Sequence, residues 1–164
     1  MTLQNLSYLA AMVAMIEPTI TDLKDGFVKV ATKKYTVEVP KGWEVGEETS
    51  FGQREFHSEK GEIGTMTGSA KGSNWDRLYN TSLYFIQRRE KATPTPYKLS
   101  KNKKGYETMS FEMIGKDGKP TSKYVILKNS KEDILALSVR ISQVKSEAEL
   151  NKAFERLVNT AVMN

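Results

Sequence analysis

His57 is the only histidine in this 164-residue chain, and there is no cysteine. Thiol nucleophiles and structural zinc sites are therefore not expected. A general-base role for His57 needs a nucleophile within hydrogen-bond reach and a third group to orient the ring. On a strand, the neighbouring Ser58 points to the opposite face, while Gln53 and Glu55 share the His57 side. That pattern describes a polar, solvated face, and no catalytic residue is assigned. Segment 64–73 is rich in glycine and holds Lys71, which invites a phosphate-loop reading. The order fails, because such a loop needs Gly-Lys-Ser/Thr and here Lys71 precedes Gly72. A strand-edge glycine or a bulge accounts for the segment better. Glu47-Glu48 and Glu55 with Glu59 are carboxylate pairs, but neither has an apolar setting that would drive two pKa values apart. Neither resembles a calcium loop, which needs oxygen ligands at alternating positions around a glycine. No metal and no cofactor are expected.

Charge offers more. Lys and Arg total 25 against 20 Asp and Glu, a formal net charge of +5. Residues 92–131 hold nine basic groups and three acidic ones, a local +6, and all nine are lysines. Lysine is a hydrated point charge, whereas arginine is the residue suited to bidentate phosphate or base recognition. Tyr97, Tyr106 and Tyr124 lie in this segment, yet nucleic acid is not the expected partner. Arg88, Arg89 and Lys91 have a sufficient reason to stand where they do, at the end of a helix. The segment reads as a hydrated lysine face or as a docking surface for an acidic protein or an anionic membrane.

These side chains need a scaffold. An apolar fraction of 38% and a charged fraction of 27% fit one globular domain and exclude a disordered chain or a multi-span membrane protein. Leu3, Leu6, Ala10, Val13 and Ile16 recur at helical spacing until Glu17-Pro18 stops them. This apolar run is too short to span a bilayer. Either it is an amphipathic helix docked on the domain or a partner, or it is the remnant of a signal peptide, although no Lys or Arg precedes Lys24. Two sequons, Asn5-Leu6-Ser7 and Asn80-Thr81-Ser82, fall in expected helices and read as chance matches.

Residues 27–31 and 35–39 read as strands, with Tyr35, Val37 and Val39 alternating against Thr36 and Glu38. Pro40-Lys41-Gly42 ends the second, and Trp43 is expected to plug one end of the core. Residues 51–57 and 62–69 suggest a hairpin. Residues 73–90 suggest a helix capped by Ser73, closed by the stiff Thr93-Pro94-Thr95-Pro96 connector. Residues 97–101, 106–115, 122–128 and 134–142 read as strands, the last three as an antiparallel meander. In the last, Leu135, Leu137, Val139 and Ile141 alternate with Ala136, Ser138 and Arg140. Asp117-Gly118 supplies one hairpin turn. A final amphipathic helix starts at Ser146, with Glu149 completing a capping box, and turns Leu150, Ala153, Phe154, Leu157, Val158 and Ala161 to one side.

The run Val39-Pro40-Lys41-Gly42-Trp43, within "KYTVEVPKGWEV", together with the order hairpin, helix, meander and closing helix, resembles the PsbP-like superfamily. That group includes the extrinsic PsbP subunit of photosystem II, the Ran-binding Mog protein and bacterial DcrB-type lipoproteins. The resemblance covers about residues 27–162. It implies an α+β fold with an antiparallel sheet in an α/β/α sandwich and a non-enzymatic binding role, and it carries over no functional residue. The chain departs from the pattern in lacking a lipobox cysteine and in its extra N-terminal helix.

The expected organisation is an N-terminal helix and linker over residues 1–26 and a single domain over residues 27–164. The expected function is docking of an acidic protein or anionic membrane surface through lysine-rich hairpins, around Lys101, Lys103 and Lys104 and around Lys116 and Lys119. The alternative is an adaptor or chaperone-like protein whose contact is the apolar face of Leu3, Leu6, Leu9, Met12, Val13 and Ile16. A bacterial, periplasmic or exported protein is the expected setting, although the missing cysteine fits a cytosolic one equally.

Overall fold

Alternation of apolar and polar residues builds most of this molecule. The computed structural model describes residues 18–141 and 144–164. The expected helix at 3–16, and the contact face it would offer, lie outside the described residues. The strands are β1 (Thr19–Asp22), β2 (Phe27–Ala31), β3 (Tyr35–Pro40), β4 (Glu44–Val45), β5 (Gln53–Ser58) and β6 (Gly61–Ser69). They continue with β7 (Thr93–Pro94), β8 (Lys98–Lys101), β9 (Glu107–Ile114), β10 (Pro120–Lys128), β11 (Asp133–Ile141) and β12 (Val162–Met163). The helices are α1 (Trp75–Ile86) and α2 (Glu147–Thr160). The fold is α+β, with antiparallel strand pairing throughout the described residues.

A small sheet runs β1-β2-β3-β12, and a large one runs β4-β5-β6-β11-β10-β9. β7 and β8 both lie along the outer side of β9. Side chains of β11 serve two interiors. Leu135, Leu137 and Val139 join Phe56, Ile63, Val125 and Leu127 with Val30, Val37 and Val39 of the small sheet and Leu150, Leu157 and Ala161 near the chain's end. Ile134 and Ala136 join Met109, Phe111, Met113 and Ile126 with Leu78, Tyr79, Leu83 and Ile86 of α1. The unbroken run Tyr124–Leu127 on β10 follows from this, because a strand apolar on both faces does not alternate. Val125 and Leu127 enter the first interior, Tyr124 and Ile126 the second. Each fully buried leucine contributes about 2 kcal/mol.

Several element ends differ from the sequence reading. α1 starts at Trp75, and Asn74 rather than Ser73 caps it, with Oδ1 accepting the Arg77 N–H at 2.8 Å. The helix stops at Ile86 instead of Glu90. The Glu90 carboxylate is held by Ser122 and Tyr124 on β10, which draws the chain onto the sheet. Arg88, Arg89 and Lys91 therefore follow the helix rather than close it. Ser146 precedes α2 as expected, but its φ of −100° and ψ of 4° are not the extended values that aim a capping hydroxyl, and its side chain makes no cap bond. A short 3₁₀ turn, Val144–Ser146, leads in instead. No bulge interrupts β6, which pairs in unbroken register with β5 and β11 through Gly64. A Cβ at Gly64 would meet Ser138 Oγ at 2.6 Å, a contact that rotation of the serine side chain relieves.

Candidate functional site

The lysines split into two groups. Lys101 ends β8, and Lys103 and Lys104 sit in the turn between β8 and β9, all exposed. Lys116 and Lys119 sit in the turn between β9 and β10. The eight residues of β9 separate the two turns, a distance of roughly 27 Å at strand rise. Lys101, Lys103 and Lys104 thus form one cluster, and Lys116 and Lys119 stand at the opposite end of the sheet.

The first cluster is held rigidly. Asn102 Oδ1 accepts the N–H groups of Lys104 and Tyr106, each at 3.0 Å, and its Nδ2 donates to the Val158 carbonyl of α2 at 2.7 Å. Tyr106 Oη accepts the Met163 N–H at 3.1 Å, and Gly105 takes the positive φ of +84° that closes the turn. None of the ammonium groups of Lys101, Lys103 and Lys104 has an ion pair among the described residues. The nearby acid, Glu107, is already engaged by Lys128 Nζ at 3.1 Å.

An open groove of about 330 Å³ runs beside the cluster, between Trp75 on one side and Leu99, Lys101 and Glu107 on the other. Leu99 is 57% exposed. Lys128 Nζ lies 4.6 Å from the centre of the Trp75 ring, which fixes the indole wall by a cation–π contact. A wider cleft of about 500 Å³, with Lys33, Lys34, Ile134 and Met163 in its lining, carries Phe51 at its rim, 84% exposed.

No family model matches the chain, and no curated protein matches it. The solution structure of cyanobacterial PsbP, CyanoP, from Synechocystis sp. PCC 6803 aligns with it at a TM-score of 0.57 and 10% sequence identity. The alignment covers 91% of this chain and 95% of that one. The fold is PsbP-like. At that identity the likeness extends to the fold and carries over no site residue. The Val39–Trp43 run closes β3 and turns the chain. β3 ends at Pro40, Gly42 adopts a φ of +88°, and Trp43 packs half-buried against the first interior.

Elsewhere on the PsbP-like sheet, cross-strand neighbours form a polar row. His57 faces Glu62, Glu62 faces Arg140, and Arg140 faces Ser122. His57 Nε2 lies 3.4 Å from Glu55 and Nδ1 lies 3.5 Å from Glu62, so two carboxylates flank the ring. Ser58 Oγ accepts the Lys60 N–H instead. Arg140 approaches Glu62 at 3.4 Å and Glu90 at 3.9 Å. The row ends where Glu90 accepts the Ser122 hydroxyl at 2.8 Å and the Tyr124 hydroxyl at 2.7 Å. Burial, and then the bond to Glu90, push the Tyr124 phenol up to about 12. Among the described residues no group of His, Asp and Glu is placed to hold a metal ion.

Sequence reasoning missed Asn102, Glu90 and Arg54. For Asn102 a signal existed, since Asn with Gly three residues on marks a turn whose side chain bonds its own backbone. Glu90 is a lone carboxylate after a helix, and nothing in its neighbours announces Ser122 or Tyr124. Arg54 is a buried cation whose Nη1 donates to the Gly46 carbonyl at 2.7 Å, while its Nε–H has no partner among the described residues.

Proposed function

We propose that this chain is a non-enzymatic binding module, an α/β/α sandwich of PsbP-like type, that docks an acidic protein through the β8–β9 hairpin. Lys101, Lys103 and Lys104 make the contact. The observation that carries the reading is the pinned turn: Asn102 fixes the backbone to α2, so three ammonium groups without ion pairs among the described residues are presented from a rigid base. Ordering costs little there on binding, which is what preorganisation contributes to affinity. Lys116 and Lys119, at the far end of β9, belong to a different surface. The PsbP-like fold, tied by the sequence reading to binding rather than catalysis, supports the same conclusion.

The test compares two variants of equal charge change, Lys103→Glu/Lys104→Glu and Lys116→Glu/Lys119→Glu, for binding to an immobilised oligoglutamate peptide and to phosphatidylserine vesicles. Each lost exposed pair and each new repulsion amounts to about 0.5 kcal/mol, so the first variant weakens peptide binding about thirtyfold. The second leaves it within a few-fold, and salt weakens wild-type binding steeply. Equal losses in both variants refute a localised dock. Vesicle binding without peptide binding refutes a protein partner.

A further inference from the structure

The edge of the large sheet specifies how such a partner binds. We infer that it presents an extended acidic segment that adds as a strand to the outer side of β8; this rests on the docking reading above and gives it a geometry. In an antiparallel ladder, opposed residues alternate between pairs that exchange hydrogen bonds and pairs that do not. Asn102 N–H donates to the Tyr106 carbonyl at 3.1 Å. Counting back by two, Ser100 with Thr108 and Lys98 with Ser110 are the bonded pairs. Leu99 and Lys101 therefore turn their N–H and C=O groups outward, where no described strand meets them. The Lys101 carbonyl receives only a long contact, 3.5 Å, from the Ser100 hydroxyl. All four residues of β8 are exposed.

The same edge selects its occupant. Upstream, Pro94 and Pro96 have no N–H to offer, so addition is confined to residues 98–101. A second copy of β8 laid antiparallel through the same outward groups can oppose Leu99 and Lys101 only to Leu99 or Lys101. Its lysines would add positive charge to an edge that already carries Lys98, Lys101, Lys103 and Lys104, where like charges repel. An acidic strand brings the opposite sign of charge to Lys98 and Lys101. Leu99 lies opposite Met109 and Lys101 opposite Glu107, which places Leu99 and Lys101 on the face carrying Met109 and α1, beside the groove under Trp75. A segment reading acid, threonine, valine, acid would set its valine over Leu99 and its acids against Lys98 and Lys101. Backbone pairing supplies affinity and the alternate side chains supply selectivity, as in other strand-addition complexes.

The probe is a short synthetic peptide with that core, flanked by glutamates. A second copy is N-methylated at the residues whose N–H groups would face β8, which keeps the charge and removes the pairing. Amide hydrogen exchange of the full chain is the direct readout. With the unmodified peptide in excess, the Leu99 and Lys101 amides slow by about tenfold or more, while Ser100, already bonded to β9, does not change. The methylated peptide binds about tenfold more weakly. Equal binding of both peptides, or no slowing at Leu99 and Lys101, overturns strand addition and leaves charge docking standing if Lys103→Glu/Lys104→Glu still weakens binding about thirtyfold. Binding that survives both the methylation and the charge reversal overturns the two readings together.

Discussion

Replacing Glu90 with alanine tests whether the polar row holds α1 to the sheet. The Glu90 side chain is only 9% exposed, and Ser122 is fully buried. Its two oxygens accept the Ser122 hydroxyl at 2.8 and 3.1 Å and the Tyr124 hydroxyl at 2.7 Å. Glu90→Ala strands the buried Ser122 hydroxyl and takes the acceptor from the half-buried Tyr124 hydroxyl, for a total of about 2 kcal/mol. The partly exposed Arg140 still has Glu62, and loss of its 3.9 Å contact adds little. Glu90→Gln keeps one acceptor oxygen and costs about 1 kcal/mol. Urea denaturation should rank wild type above Glu90→Gln above Glu90→Ala, with the slope unchanged. A second readout is the titration of Tyr124. Burial is the larger cause of its rise to about 12 and Glu90 the next. Removing Glu90 therefore lowers the midpoint while leaving it above the ordinary 10.0. Because the folded value is raised, the stabilisation is complete below pH 10 and is lost as pH climbs toward 12. Glu90→Ala loses it over a narrower window. A variant within about 0.5 kcal/mol of wild type, with Tyr124 unmoved, would refute the claim that these hydroxyls depend on Glu90.

Other perturbations are equally direct. Asn102→Ala removes the Val158 bond and the two turn bonds, so stability falls by about 2 kcal/mol. Amide exchange at residues 103–105 should rise, and docking should weaken without any change of charge. Gly61→Ala places a Cβ 2.1 Å from the Arg140 carbonyl oxygen. Parting β6 from β11 there costs about 3 kcal/mol, or roughly 8 °C in a thermal melt. Arg156 donates to Asp25 at 2.7 Å and to Glu38 at 2.9 Å and lies 4.2 Å from the Phe27 ring centre. Arg156→Ala should cost about 1 kcal/mol through the Glu38 pair and the ring. The Arg156 contact also holds the Asp25 carboxyl below its usual value. The stabilisation it gives is present above the ordinary carboxylate range and lost as pH falls through the depressed value. The variant should show a flatter acid limb in denaturation measured at neutral and acid pH.

What could be read from the sequence was whatever a periodic pattern imposes over several residues. The meander was legible because Met109, Phe111 and Met113 alternate on β9 and Leu135, Leu137 and Val139 on β11, and each set is buried. Leu150, Ala153 and Leu157 announced α2 by the same logic at helical spacing. β4, β7 and β12 have two residues each, too few to show a period. β12 was also hidden, since Ala161 continued the helical spacing until the backbone turned extended there, at φ −60° and ψ 135°. β1 is exposed along most of its length and lacks an apolar stripe. Cap identity depended on backbone angles at Ser146 that no residue type encodes. For the candidate site, charge counting found the lysines but not their grouping. Which turn lies at which end of β9 is a property of the pairing, and the pinning by Asn102 joins positions 56 residues apart.

The seam between β6 and β11 has a consequence for how the nascent protein matures. β5 and β6 can zip as soon as they are made, and so can β9, β10 and β11, since each set is contiguous in sequence. The two sets meet only where Ser69 pairs with Asp133 and Gly61 with Ile141. During synthesis β6 must wait with one edge bare until residue 141 has been made, with Ile63, Thr65 and Thr67 displayed along a nine-residue strand. That interval, rather than the finished protein, is when this chain is most exposed to aggregation. Lengthening the short loop at residues 71–73, between β6 and α1, would barely alter final stability, since doubling a loop costs only about 0.6 kcal/mol, but it would prolong the wait.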